Sequence, residues 1–431
     1  MPRSHLLDVS PLRANPAYAR MWSGQAIGGI GGQLTIVAVG LHIYELTRST
    51  LAVALVGVIA LGPTVLAGLY GGALADALDR RRLAILAASV AWASTGTIAV
   101  LAWLGAEQVG TLYVLTAITA AASTVLSATS AAITPRLLPR ELLPAASALG
   151  GISSGIAITV GPAIAGVLVA AVGYAWTYSL DVVLFVAAFT GIVTLPALAP
   201  DPSASRPGLR SVTDGLRFLT RAPNIRMNFL VDIVAMVFGQ PRVLFPALAA
   251  LVLGGGPVTV GLLTASFAAG ALLSGLFSGR LGEVRAHGRA IGFAVEAYGA
   301  AILGFGLVVA FSMLLGGNVG SHGEPASTLP LVLAGLLLAA AGAADNVSAV
   351  YRSTMLQAAV PDVYRGRLQG VFIVVVTGGP RIGDLYVGLT ASLGLLWLPP
   401  VAGGVLILVL VALLVARSRS FRSYDSLAPQ P

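Results

Sequence analysis

Apolar stretches of about 20 residues recur along this chain, and that recurrence restricts it to one environment. A helix rises 1.5 Å per residue, so roughly 20 residues cross the hydrocarbon layer of a bilayer. Twelve stretches meet that length, at 19–44, 51–75, 83–105, 111–134, 146–172, 174–196, 226–253, 258–281, 290–315, 329–352, 367–393 and 395–416. Backbone amides within a bilayer find no water, which leaves helices or closed barrels as spanning structures. Runs this long and this apolar are helical, so the sequence predicts an all-α integral membrane protein with twelve transmembrane helices, numbered here as spans 1 to 12. A composition of 57% hydrophobic and 10% charged residues fits that class and excludes an ordinary soluble domain. The longest polar intervals are 197–225 and 316–328, so no separate soluble domain is expected. The first stretch is long and lacks a cleavage motif, and reads as a retained helix.

All 25 basic residues are arginine. Without lysine there is neither a Walker-type phosphate lysine nor a Schiff-base lysine, so energy from ATP bound to this chain is not expected. The chain has no cysteine, and its four histidines (His5, His42, His287, His322) show no metal-ligand spacing. No nucleophile and base cluster together. The expectation is a protein that is not an enzyme and carries no cofactor or metal. Of the arginines, 22 fall in loops on one side of the spans and only Arg48 on the other, with Arg242 and Arg381 inside the apolar layer. Positive-inside bias makes the arginine-rich side cytoplasmic and puts both termini there. The net charge of +8 thus reflects topology. No basic stripe with interleaved aromatics points to nucleic acid, and the bilayer is the expected surrounding partner.

The chain divides into a six-span bundle at 1–196, a cytoplasmic linker at 197–225, and a second six-span bundle with a tail at 226–431. Ser211 to Arg221 suits a short amphipathic helix with Val212, Leu216 and Leu219 towards lipid. A shift of 207 residues lays one bundle on the other. Pro16 falls on Pro223, Gly32-Gln33 on Gly239-Gln240, Gly72 on Gly279, Asp76 on Glu283 and Arg82 on Arg289. A shift of 218 lays "TVGPAIAG" (159–166) on "TGGPRIGD" (377–384). Parallel halves of this kind build many secondary transporters, whose substrate site lies between them near the midplane.

Span 2 ends in "GGALADALDRRR" (71–82). Gly72, Asp76, Arg80 and Arg81 there resemble the signature between the second and third helices of the major facilitator superfamily, with Ala77 and Asp79 departing from the usual arginine and glycine. The resemblance implies two pseudo-symmetric six-helix bundles and a cytoplasmic latch that breaks and reforms during alternating access. Glu283 and Arg289 repeat the motif, and Arg352 at the inner end of span 10 is the expected partner of Glu283. In span 5, Gly161, Pro162 and Gly166 are similar to the glycine-proline element of antiporters in this superfamily, with Ala165 where a second glycine is usual. Ordinary small-residue packing is the alternative reading. "LRANPAYARMW", "PRVLFPALA" and "RSTMLQAAVPDVYRGRLQGV" together look like bacterial siderophore exporters of the enterobactin-exporter type. That likeness implies a bacterial plasma membrane location.

Ionisable residues inside spans are candidates for function. A charge at the bilayer centre costs about 2.5–3.5 kcal/mol even on the lenient insertion scale. Arg242 lies 16 residues beyond Arg226, beside Pro241, and Arg381 lies beside Pro380 with Asp384 three residues on. In this superfamily spans 7 and 11 line the cavity, so Arg242, Arg381 and Asp384 are expected to form its outer substrate-binding cluster, with Gln33 of span 1. Their surplus positive charge suits an anionic or oxygen-rich substrate. Asp232 and Asp345 are the expected proton-coupling acids; a static pairing with Arg352 is the competing reading for Asp345. Glu296 and Asp181 read as structural, and the whole set could instead be buried ion pairs that fix helix register. The expected function is proton-driven export of a siderophore or small amphipathic molecule by a monomer. Import or facilitated entry of a nutrient anion is the alternative.

Overall fold

The computed structural model of the chain describes residues 8–77, 79–196, 217–276, 284–315, 328–360 and 362–430, with the backbone alone for 69, 71–77 and 362–374. Among these residues every regular element is helical, and ten helices are long and apolar enough to cross a membrane. One of them, Arg140–Val193, holds two passes. Within it, Gly173 has φ 80° and ψ −178°, a conformation open to glycine and strained for other residues. Neighbouring contacts show what happens there. Ala157 lies beside Gly29 and Gly161 beside Gln33, so 143–172 runs parallel to span 1. Beyond Gly173 the order inverts: Asp181 lies beside Gly31, Ala187 beside Gly24, and Gly191 beside Arg20. The chain therefore turns back at Gly173, dividing spans 5 and 6. Span 11, Asp362–Ala391, is a further helix of 30 residues.

Two compact units emerge: Met1–Val39 with Gly62–Gly208, and Gly40–Leu61 with Leu209–Pro431. The second unit thus takes in the end of span 1 and the start of span 2. Those segments pack on span 11 through small residues. Ala54 and Leu51 lie against Gly388, and Gly57 lies against Arg381 and Asp384.

In the first unit, polar side chains tie helix ends together. Asn15 caps span 1, Pro16–Thr47, by accepting from the backbone N–H of Ala17 at 2.9 Å, and donates to the Leu137 carbonyl at the end of span 4. Asp79, where the superfamily signature has glycine, caps span 3 by accepting from the Arg82 N–H at 2.9 Å. Arg80 and Arg81 reach carbonyls of other helices: Arg80 donates to Ala132, within the last two turns of span 4, at 3.0 Å, and Arg81 to Val193, the last residue of span 6, at 2.6 Å. Cations suit helix C-termini, where carbonyls lack partners and the helix dipole is negative. At the far end of this unit Trp103 meets Trp176 edge-on with centroids 5.0 Å apart and donates to the Ser179 hydroxyl.

The second unit has a broken helix and a docked tail. Span 7 runs as Pro223–Phe238, then a 3-10 turn at Pro241–Leu244, then Phe245–Leu251. Spans 8 and 10, Gly256–Leu276 and Thr328–Ala359, approach to backbone contact where Gly270 faces Ala339 and Gly342 faces Phe267. Span 9, His287–Leu314, packs beside span 12, Leu398–Arg417. The tail then folds back. Phe421 is fully buried in the core with Ile225, Phe229 and Met355, Tyr424 stacks on His287, and Asn224 donates to the Gln430 carbonyl at 3.1 Å. Leu219 of the linker joins the same core, so it faces protein where the sequence expected lipid: the buried Phe421 and Tyr424 give it an apolar neighbourhood. Residues 197–216, with Val212 and Leu216, lie outside the described residues.

Truncating a buried phenylalanine costs about 3–5 kcal/mol, so Phe421→Ala is expected to lower the melting midpoint of the purified protein in detergent. Heating followed by size-exclusion chromatography checks this, and deletion of 418–431 should act in the same direction. Gly239→Ala is expected to destabilise too, because a Cβ there would overlap the Tyr298 ring; shortening that ring by Tyr298→Leu should recover part of the loss.

Candidate functional site

The break in span 7 is a local consequence of "GQPR". Pro241 has no N–H to donate back along the helix, and its ring disfavours helical conformation in the residue before it. Helical bonding stops at Gly239 and resumes as a 3-10 turn. The Gly239 carbonyl is left over, and the buried Tyr298 hydroxyl of span 9 donates to it. Non-helical backbone at membrane depth is tolerated where protein satisfies it in this way. The turn buries Pro241, Val243 and Leu244 and leaves Arg242 exposed.

Arg242 is therefore held by its surroundings without being enclosed. Its guanidinium carbon lies 5.1 Å from the centroid of the Phe267 ring in span 8, a cation–π contact worth about 0.5–2 kcal/mol. It is also within electrostatic reach of Asp345 in span 10 and Asp384 in span 11. Arg381 bonds Asp384 at 3.2 Å one helical turn away, with 43% of the arginine side chain accessible. Of the residues that the sequence assigned to one cluster, Arg381 and Asp384 are in contact and Arg242 lies within electrostatic reach of Asp384. Gly57 completes it: a Cβ at that position would stand 2.6 Å from the Arg381 Nη1.

Deeper in the same unit, Arg352 of span 10 is ion-paired with Asp232 of span 7, both side chains nearly inaccessible. Asp345, two turns away on span 10, comes within 3.8 Å of the same guanidinium and keeps 40% of its side chain accessible. Asn228 donates to the Arg352 carbonyl at 3.0 Å. The sequence named Glu283 as the partner of Arg352. Among the described residues Arg352 meets Asp232, whose carboxylate span 7 brings to that guanidinium; Glu283, and with it the expected pairing, lies outside the described residues.

The other motif residues divide between the units. Gly72 and Asp76 lie on the last turns of span 2, where the backbone alone is described. Arg289 is exposed near the start of span 9. Gly161, Pro162 and Gly166 are buried, and Gly161 admits the side chain of Gln33: a Cβ on it would stand 2.5 Å from that of Gln33. Gln33 in turn lines a cleft of about 780 Å³ that lies within the first unit.

That cleft was not anticipated. Thr119, Ser123, Ser127, Ser130 and Thr134 face it from span 4, a hydroxyl ladder whose spacing of three to four residues was there to be read. Gln25 of span 1 reaches across to Ser130 at 2.8 Å. Asp181, taken from the sequence as structural, also lines it. Tyr298, Phe267 and Gly57 were missed as well, for their roles depend on contacts between helices distant in sequence.

Comparison with known proteins fixes the family. The family model described as "Transmembrane secretion effector" (MFS_3) matches residues 7–431. The enterobactin exporter EntS of Shigella boydii serotype 18 is 28% identical over 427 residues, covering 97% of each chain. EntS of Escherichia coli O81 is 27% identical with the same coverage. Among solved structures, a POT family transporter in complex with 5-aminolevulinic acid superposes with a TM-score of 0.73 at 11% identity, covering 94% of this chain and 97% of that one. A bacterial homologue of the iron transporter ferroportin in its inward-facing state gives 0.65 at 16% identity, covering 93% and 99%. At such identities the structural matches speak for the fold alone. With its helical membrane architecture and a full-length match to the family, the chain belongs to the transmembrane secretion effectors of the major facilitator superfamily, a family of multi-pass membrane transporters.

Proposed function

We propose that this transporter exports a siderophore, or a small amphipathic molecule with similar oxygen-rich chemistry, in exchange for protons and by alternating access across the bacterial plasma membrane. The observation that carries this reading is Arg242, an exposed guanidinium at a helix break beside the Phe267 ring. A cation over an aromatic face, with Arg381 nearby, matches a ligand that offers both anionic oxygens and flat apolar surface. The end-to-end likeness to enterobactin exporters supports the substrate class and the direction.

In this reading Arg242, Arg381 and Asp384 contact the substrate in the second unit and Gln33 contacts it in the first. Asp345 exchanges the proton. Arg352 makes that exchange affordable, because Asp232 keeps the guanidinium neutralised whether or not Asp345 carries its own charge. The signature residues Gly72, Asp76, Arg80, Arg81, Glu283 and Arg289 form the cytoplasmic latch, and the Gly161-Pro162 element of span 5 provides a close-packed pivot on span 1. The protein acts as a monomer with both termini in the cytoplasm.

Everted membrane vesicles with a preformed pH gradient test this with enterobactin as the probe. Enterobactin is expected to collapse the gradient in vesicles carrying the wild-type protein. Arg242→Ala is expected to weaken that response about 10- to 100-fold, the equivalent of about 1.5–3 kcal/mol in a charge-assisted hydrogen bond. Accumulation of a labelled anion by whole cells, lost in Arg242→Ala, would point to nutrient uptake and against export. Asp345→Asn is expected to abolish proton movement while enterobactin counterflow persists; unchanged proton movement in that variant would remove Asp345 from the coupling.

A further inference from the structure

Among the described residues the cleft of the first unit is lined by one carboxyl group, and its environment is unlike that of the acids in the second unit. Asp181 is 3% exposed. Its Oδ2 accepts from the Thr35 hydroxyl at 2.5 Å, while its Oδ1 has no hydrogen-bond partner among the described residues and belongs to a side chain lining the cleft. Gly31 makes room for it: a side chain on that glycine would collide with the carboxyl. The cleft is otherwise walled by hydroxyls, amides and apolar groups, and no arginine is among its lining residues. Trp22 Nε1 and Thr119 Oγ1, both on lining residues, also lack partners among the described residues.

A buried carboxylate without a cation is costly unless something neutralises it. The charged and titratable groups on the surrounding elements lie elsewhere. On span 1 they are Tyr18 and Arg20, with Arg20 engaged by Thr194, and towards the other end His42, Tyr44 and Glu45; none of these last three lines the cleft. On span 3 they are Arg80, Arg81 and Arg82 at the inner end, and Arg81 is bound to Val193, twelve residues from Asp181 and roughly 18 Å by helical rise. Span 4 carries Tyr113 and Arg136, and the loop before it Glu107; spans 5 and 6 carry Tyr174 and Tyr178, with Glu107 within electrostatic reach of Tyr178. None of the arginines lines the cleft.

We propose that Asp181 is a proton-binding site of this transporter, reached through the hydroxyl-lined cleft of the first unit and held in place by Thr35. A proton from water in the cleft joins Oδ1, giving a neutral carboxylic acid that donates into the cleft, and leaves by the same route when Asp181 ionises. The bond from Thr35 keeps the other oxygen engaged in both states. This deepens the proton-coupled reading by placing a second acid in the unit that lacks the arginine cluster, and it can be tested without any substrate.

The test is infrared difference spectroscopy of the full chain in liposomes as pH is varied. Wild-type protein is expected to show a titrating carboxylic acid C=O band that is absent in Asp181→Asn, and whose frequency shifts in Thr35→Val because the hydroxyl donor is gone. If Asp181→Asn does not fold, the band shift in Thr35→Val decides alone. A spectrum of folded Asp181→Asn that keeps every titrating carboxyl band of the wild type, or a Thr35→Val spectrum with no shift, overturns the proposal. Loss of the band in Asp181→Asn supports the proton site even if enterobactin moves no protons in vesicles; that second result would count against the transport reading alone.

Discussion

A guanidinium survives in an apolar layer only where other groups meet its charge, and the second unit is organised around that requirement. Arg352 is met by Asp232, which binds span 7 to span 10 below the helix break. Arg381 is met by Asp384 on the same helix, and the pair needs the bare backbone of Gly57 beside it. Arg242 is met more loosely, by an aromatic face and by two acids at a distance, and it stays open. Removing the partner of a buried ion pair costs about 3–5 kcal/mol, so the enclosed pair is tied to the fold. Of these three arginines, the open one is the least committed to a carboxylate.

The two units descend from the same pattern and diverge at one step of it. At the 207-residue shift, Gly32-Gln33 is followed by Leu34 and Thr35, whereas Gly239-Gln240 is followed by Pro241 and Arg242. With leucine, span 1 continues as an unbroken helix, and Thr35 turns its hydroxyl to Asp181. With proline, span 7 breaks, and the residue at the equivalent place becomes an exposed cation. A two-residue difference thus leaves one unit an unbroken span 1 whose Thr35 meets Asp181 and gives the other an arginine-bearing break. That asymmetry fits the proposed division between a proton site in one unit and a solute site in the other.

Much of this architecture was legible in the sequence because it follows from hydropathy and helical rise. The spans, the turn at Gly173 between spans 5 and 6, and the weakness of span 7 at Pro241 are local properties. The grouping of 40–61 with the second unit was not legible, since it rests on small residues of spans 2 and 11 meeting across more than 300 positions. Pairing was also hard to read. Arg352 could reach several acids in principle, and only helix rotation and depth decide that Asp232 meets it most closely among the described residues. Asp181 looked structural because span 6 gives no sign of which face meets span 1. The serines and threonines of span 4 did announce a polar face, and their spacing was the missed clue.

The most direct test of the central claim exploits the absence of cysteine from the chain. Arg242→Cys introduces its only thiol, which can be probed in membrane vesicles with a charged, water-soluble thiosulfonate. The account predicts rapid modification that enterobactin slows. A thiol that resists the polar reagent but reacts with a lipid-soluble maleimide would put residue 242 against acyl chains and contradict it.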